Sequence, residues 1–208
     1  MIKNIIFDLG DVLINLNRLN TQSRLKELGL ETFPEEMNDI NIKYELGLVS
    51  TEAFINFYKS IFKDRSKAEL TEMWNGILLD FPEYRLNFLE NIDKQYRLFL
   101  FSNSNELHLN YIKEKTDHDF FKRFTNCFER SYYSFQINRR KPDTEAFQFI
   151  LDENKLRPEE TLFIDDTKEN TDSAKKLGMQ VWNLIPGKED VTDLFSKFPF
   201  LKNKETVL

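Results

Sequence analysis

The sequence predicts an α/β fold, a parallel sheet with helices on both faces and an all-helical segment inserted after the first strand. Three observations predict it. From Arg97 onward, short apolar runs alternate with helical patterns, which implies right-handed crossovers between parallel strands. Between residues 16 and 92 helical patterns follow one another with no strand between them. Three of the apolar runs also end directly in polar clusters.

In chain order, residues 5–7 read as a short buried strand ending at Asp8, with Gly10 letting the chain turn before Val12, Leu13 and Ile14 resume the apolar run. Leu19, Leu25 and Leu28 give loose helical spacing. Pro34 starts a second helix with Met37, Ile40, Ile42 and Tyr44, stopping near Gly47. Ser50 and Thr51 cap a third, carrying Phe54, Phe57, Tyr58 and Ile61. Ser66 and Glu69 have capping-box spacing for a fourth through Leu70, Met73, Trp74 and Ile77. Pro82 opens a fifth with Leu86, Phe88, Leu89 and Ile92.

In the second half, strands are expected at 98–101, 127–133, 161–164 and 180–185. Helices are expected at 105–115, 144–151 and 168–177, the last ending at Gly178 in a C-cap position, with a short helix near 190–197. The tail 202–208 is expected to fray. The predicted division is a core of residues 1–15 and 93–208 and a helical cap of residues 16–92.

Composition narrows the function. Twenty Phe against six Gly and six Pro indicate a filled interior with few long loops. With 29 Lys and Arg against 35 Asp and Glu, the net charge of −6 argues against a nucleic-acid partner. No apolar run has the length of a membrane span, and a strand at the very start leaves no room for a signal peptide. The single cysteine, Cys127, fits a reducing compartment, so a cytoplasmic location is expected, with Cys127 as a buried, inert thiol. Two histidines are too few for an all-His metal site, and His108 is expected at the surface or in packing.

The polar clusters carry the chemistry. Strand C-termini of a parallel sheet lie along one edge, where such folds bind ligands. Asp8, Ser102, Asp165 and Asp166 should therefore meet there, although each alone could be a turn former or helix cap. Three carboxylates so close raise one another's pKa, and a hard divalent cation such as Mg²⁺ relieves the repulsion. Lys141 would balance charge and hold a phosphate, with donors from Ser102 and Asn103 completing an anion cradle. A carboxylate nucleophile is an established route to an aspartyl-phosphate intermediate, and bound metal and lysine would stabilise the charge on the transferring phosphoryl group.

The ordered motifs Phe7-Asp8-Leu9-Gly10-Asp11-Val12-Leu13, then 98–101 running into Ser102-Asn103, then Arg140-Lys141-Pro142-Asp143, then Phe163-Ile164-Asp165-Asp166, resemble the four motifs of the haloacid dehalogenase superfamily. The resemblance spans nearly the whole chain. It implies a Rossmann-like core with the helical cap inserted between the first two motifs, and a Mg²⁺-dependent phosphatase of a small phosphorylated metabolite. By motif position it implies Asp8 as nucleophile and metal ligand, and Ser102 as phosphate binder. Lys141 would bridge phosphate and nucleophile, with Asp165, Asp166 and the backbone carbonyl of Gly10 on Mg²⁺.

One departure stands out. Phosphatases of this family usually carry a second aspartate two residues after the nucleophile as general acid and base, where this chain has Gly10. That narrows the resemblance to an Asp-Leu-Gly-x-Val branch, which includes sugar-phosphate phosphatases and the N-terminal domains of soluble epoxide hydrolases. Asp11 is the nearest spare carboxylate; it substitutes if the turn aims it inward and otherwise caps the turn or is solvated. The alternatives are a phosphate-binding relative with impaired turnover and, less favoured, a 2-haloacid dehalogenase, whose chemistry needs no metal. Arg139 and Arg140 either touch phosphate or form a solvated face. Asn170 either orients a metal ligand or caps its helix. Tyr44, Phe54, Tyr58 and Trp74 either line a substrate pocket or, as aromatic stripes more often do, build the cap's core. A monomer or homodimer is expected.

Overall fold

Residues 1–18, 30–32, 34–92 and 94–201 are described by the structure, a computed structural model. The helix expected around Leu19, Leu25 and Leu28 and the tail 202–208 lie outside the described residues. The described strands are β1 (Asn4–Phe7), β2 (Arg97–Ser102), β3 (Arg130–Tyr133), β4 (Thr161–Asp165) and β5 (Gln180–Asn183). They form one parallel sheet in the order β3-β2-β1-β4-β5.

Both faces of the sheet are covered, as a parallel sheet requires. Side chains alternate along each strand, so Ile5, Phe7, Leu98, Leu100, Leu162 and Ile164 enter one core while Ile6, Phe99, Phe101 and Phe163 enter the other. The first core is closed by α4 (Glu83–Ile92), α5 (Glu106–Lys115) and α6 (His118–Asn126) through Leu86, Leu89, Leu109, Ile112 and Phe124. The second is closed by α8 (Thr144–Glu153) and α9 (Lys168–Lys176) through Phe147, Ile150, Leu151 and Ala174.

Between β1 and α4 lie α1 (Glu35–Glu45), α2 (Thr51–Ile61) and α3 (Lys67–Asn75). Ser50 accepts from the Ala53 N–H at the start of α2, and Ser66 with Glu69 forms the capping box of α3. The three helices share an apolar cluster of their own, in which Phe54 stacks on Tyr44 with ring centroids 4.1 Å apart and meets Trp74 edge-on at 4.8 Å. The aromatic stripe is packing. These helices leave and rejoin the core through paired backbone, with Asn15 N–H on Asp80 O and Asn17 N–H on Ile77 O at 3.0 and 2.8 Å. By contrast α4 packs into the sheet's own core, and its buried Arg85 donates to Asp190, Asn15 and the Leu13 carbonyl.

Several elements differ from expectation, the helix α6 among them. The strand expected from residue 127 begins at Arg130, because Asp117 caps the N-terminus of α6 and that helix runs on to Asn126, with Cys127 as its buried C-cap. A short helix, α7 (Ser134–Ile137), follows β3 directly. The terminal region carries a 3-10 turn at Val191–Asp193 followed by α10 (Leu194–Lys197). Gly178, at φ 91°, follows α9 in the left-handed conformation that suits glycine after a helix end.

The helices α1–α3 meet the core at the N-terminus of α5. Tyr44 Oη accepts from the Leu107 N–H, Trp74 Nε1 donates to Asn105 Oδ1, and His108 Nε2 lies 3.2 Å from the Trp74 carbonyl. Burial pushes the His108 imidazole down to about 4 from an ordinary 6.5. Between those values the unfolded chain binds a proton that the folded chain refuses, so this contribution is complete above pH 6.5 and is lost as pH falls toward 4. Melting temperatures across pH 4–7.5 should therefore fall less steeply with acid in His108→Gln than in the unaltered chain. Parallel curves would contradict that origin.

Candidate active site

The sheet's register builds the site. Phe7 pairs with Ile164 and the Asp8 N–H continues the ladder onto the Ile164 carbonyl at 2.9 Å, setting Asp8 beside Asp165, the last residue of β4. Phe7 also pairs with Leu100, so Ser102 ends β2 on the same edge. The turn before α9 brings Asp166. One oxygen each from Asp8, Asp165 and Asp166 can be chosen so that all lie within 4.8 Å of one another.

Lys141 arrives from the loop between α7 and α8 and is 1% exposed. Its Nζ donates to Asp8 Oδ1 and to Asp165 Oδ2, both at 2.6 Å, and lies 5.3 and 5.5 Å from the ring centroids of Phe101 and Phe163. Asn103 fixes the lysine's backbone from both sides: its Nδ2 donates to Lys141 O at 2.8 Å and its Oδ1 accepts from Lys141 N–H at 2.9 Å. The Asn103 side chain is thus engaged with the lysine's main chain. The Ser104 N–H and carbonyl are likewise tied to the Ser134 hydroxyl. Asp165 is held by Asn170 Nδ2 at 3.0 and 3.1 Å and by the Thr167 N–H at 2.8 Å. Asn170 therefore orients a carboxylate of the cluster.

Burial pushes the Asp8 carboxyl up to about 7; the Lys141 ammonium pulls against it, and Asp165 and Asp166 add to the rise. Asp166 is also raised by burial, with Arg18 opposing. The Lys141 ammonium is raised: burial opposes its charge, and the two carboxylates outweigh that penalty. Clustered acids with an all-oxygen donor set suit a hard cation, so Asp8, Asp165 and Asp166 fit Mg²⁺.

A cavity of about 420 Å³ opens over these groups, lined by Asp8, Gly10, Ser102, Lys141, Asp166 and Arg140 among others. A Cβ at Gly10 would stand 2.8 Å from Leu16 Cδ1, the end of a flexible side chain. Asp11 does not line this cavity. Its backbone is left-handed at φ 55°, and its carboxylate accepts from the Leu16 N–H at 3.0 Å and from Arg18 Nε. The same guanidinium donates to Asp166. Of the other arginines, Arg139 lies over the Phe149 ring at 4.5 Å, while Arg140 turns to the cavity and pairs with Glu45 of α1. Arg18 and Glu45 were not singled out in the sequence; each acts through a long-range pair that no local spacing signals.

Comparison with known proteins agrees with this geometry. The haloacid dehalogenase-like hydrolase family matches residues 5–184. The D-ribitol-5-phosphate phosphatase of Bacteroides thetaiotaomicron is 27% identical over 188 residues, covering 88% of this chain and 91% of the relative. A haloacid dehalogenase family enzyme from the same organism, crystallised with magnesium and inorganic phosphate, is 30% identical at a TM-score of 0.82, covering 94% of this chain and all of that one. A 2-haloacid dehalogenase from Pseudomonas syringae, 16% identical at a TM-score of 0.57 over 97% of this chain and 98% of its own, shares the fold. The chain belongs to the haloacid dehalogenase-like hydrolase family.

Proposed function

We propose that this hydrolase is a Mg²⁺-dependent phosphatase of sugar or polyol phosphates, working through an aspartyl phosphate at Asp8. The observation that carries the proposal is the buried Lys141 shared by Asp8 and Asp165 at the floor of a cavity that Ser102 and Asp166 also line. The likeness to a ribitol-phosphate phosphatase along almost the whole of both chains supports the substrate class. The dehalogenase likeness, at 16% identity, extends to the fold alone.

In this mechanism the phosphoryl oxygens of the ester accept from Lys141 and the Ser102 hydroxyl, which aligns phosphorus with Asp8. An Asp8 oxygen attacks phosphorus, the ester P–O bond breaks, and the leaving oxygen takes a proton. Water then attacks the aspartyl phosphate and releases inorganic phosphate and Asp8. Mg²⁺ held by Asp8, Asp165, Asp166 and the Gly10 carbonyl would supply charge neutralisation for the transferring group. Asn170 and Thr167 keep Asp165 oriented, and Asn103 keeps Lys141 in place. Of the segment 16–92, the helices α1–α3 serve as the cap while α4 belongs to the core, and Asp11 orders the chain entering the segment by holding Leu16 and Arg18. Among the described residues no carboxylate occupies the place of the usual general acid, so the leaving oxygen is protonated from water.

No described helix is long and apolar enough to cross a membrane, and Cys127 is a buried thiol. A cytoplasmic location and a monomeric or homodimeric state belong to this proposal.

Two outcomes test the mechanism. Hydrolysis of p-nitrophenyl phosphate should require Mg²⁺, stop with chelator, and fall roughly 10³-fold or more in Asp8→Asn; metal-independent turnover, or an active Asp8→Asn, would refute it. Asp11→Asn should change aryl and alkyl phosphate hydrolysis by the same factor. A selective loss on alkyl esters within the roughly 10²–10⁴-fold range of general acid–base catalysis would instead make Asp11 the proton donor.

A further inference from the structure

Arg140 and Glu45 form an ion pair that joins the cavity's lining to α1 of the inserted segment. Arg140 lines the cavity beside Lys141, and a terminal amino group of its guanidinium donates to Glu45 Oε2 at 2.9 Å. Its Nε is buried with no hydrogen-bond partner among the described residues. Glu45 sits near enough to Lys141 for that ammonium, with Arg140, to pull its carboxyl down against a larger rise caused by burial.

The pair is built, not incidental. Glu45 is the last residue of α1, and the chain just beyond it is pinned to the core. Asn138 Nδ2 donates to the Leu46 carbonyl at 2.7 Å, and Gly47 sits at φ 69° so close to the Phe135 carbonyl that a Cβ would come within 2.1 Å of its oxygen. Only glycine allows that approach, and the approach holds Glu45 over Arg140.

The chemistry of the pair restricts what it can recognise. A lone arginine in this position would favour a second anionic group on the substrate. Paired with Glu45, its charge is matched, and the two side chains together offer N–H donors and carboxylate acceptors. A hydroxyl is both donor and acceptor, so a run of hydroxyls can bond to both partners beyond the bond they share, whereas an apolar group offers neither a donor nor an acceptor.

We propose that Arg140 and Glu45 form the hydroxyl-recognition subsite of this phosphatase. Arg140 donates to, and Glu45 accepts from, hydroxyls on the carbon chain next to the ester, so that polyhydroxylated phosphates are selected over phosphates of apolar alcohols. The proposal rests on the phosphatase reading and deepens it.

The experiment compares kcat/KM on D-ribitol 5-phosphate and on phenyl phosphate for the unaltered chain, Glu45→Gln, Glu45→Asp and Arg140→Lys, with melting temperatures to follow folding. The ratio of the two substrates should fall at least tenfold in Glu45→Gln and Arg140→Lys, chiefly through KM for the polyol ester, and recover in part in Glu45→Asp. Equal losses on both substrates would make the pair a clasp between α1 and the core and overturn the proposal, as would an unchanged ratio. A second arm measures, by calorimetry in the Asp8→Asn background, how much more tightly D-ribitol 5-phosphate binds than inorganic phosphate. Adding Glu45→Gln should reduce that preference about tenfold; an unchanged preference overturns the subsite. If the unaltered chain hydrolyses neither ester with Mg²⁺, the phosphatase reading fails and the binding arm alone decides the subsite.

Discussion

The structure depends on one ammonium group taken out of water. Lys141 is buried under Asp8 and Asp165, and two such charges are tolerated in an interior only when the ion finds close partners and every partner is itself held. The surrounding fold meets that condition. Asn103 fixes the lysine's main chain, Phe101 and Phe163 flank its nitrogen, and Asn170 and Thr167 fix Asp165. Removing one member of such a buried set costs roughly 3–5 kcal/mol, because the charge left behind has no replacement for water. The arrangement is still acidic overall. Among the described residues, Asp8, Asp11, Asp165 and Asp166 bond to two cations, Lys141 and Arg18, and a divalent cation would make up the deficit.

Much of this was legible in the sequence because a parallel sheet turns one-dimensional order into a shared edge. Once residues 5–7, 98–101 and 161–164 read as parallel strands, the polar residues following each had to converge, and β1, β2 and β4 carry them to one cavity. Caps were legible too, since Ser50, Ser66 with Glu69, and Gly178 act within a turn of their own position. What escaped was set by tertiary context. The start of β3 is not legible because the apolar content around Phe124 and Phe128 suits helix and strand alike, and the Asp117 cap decides it. Arg18 reaches Asp166 across 148 positions and Arg140 reaches Glu45 across 95, separations at which no periodicity survives.

Gly10 links fold and chemistry at a single position. Leu16, where the chain leaves the core, occupies the volume into which a side chain at residue 10 would project. Asp11 does not line the cavity: its left-handed backbone and its bonds to Leu16 and Arg18 engage it where the chain leaves the core. The site thus gathers Asp8, Lys141 and Ser102 with an acid cluster suited to a cation, and has no side chain at residue 10.

The central claim is that Asp8, Asp165 and Asp166 act together as ligands for one divalent cation. Calorimetric titration of Mg²⁺ into the unaltered chain and into Asp165→Asn and Asp166→Asn tests it most directly. The account predicts saturable binding of one ion per chain in the first and its loss in both variants. An unaltered chain without saturable binding, or variants that bind as well as it does, would contradict the claim.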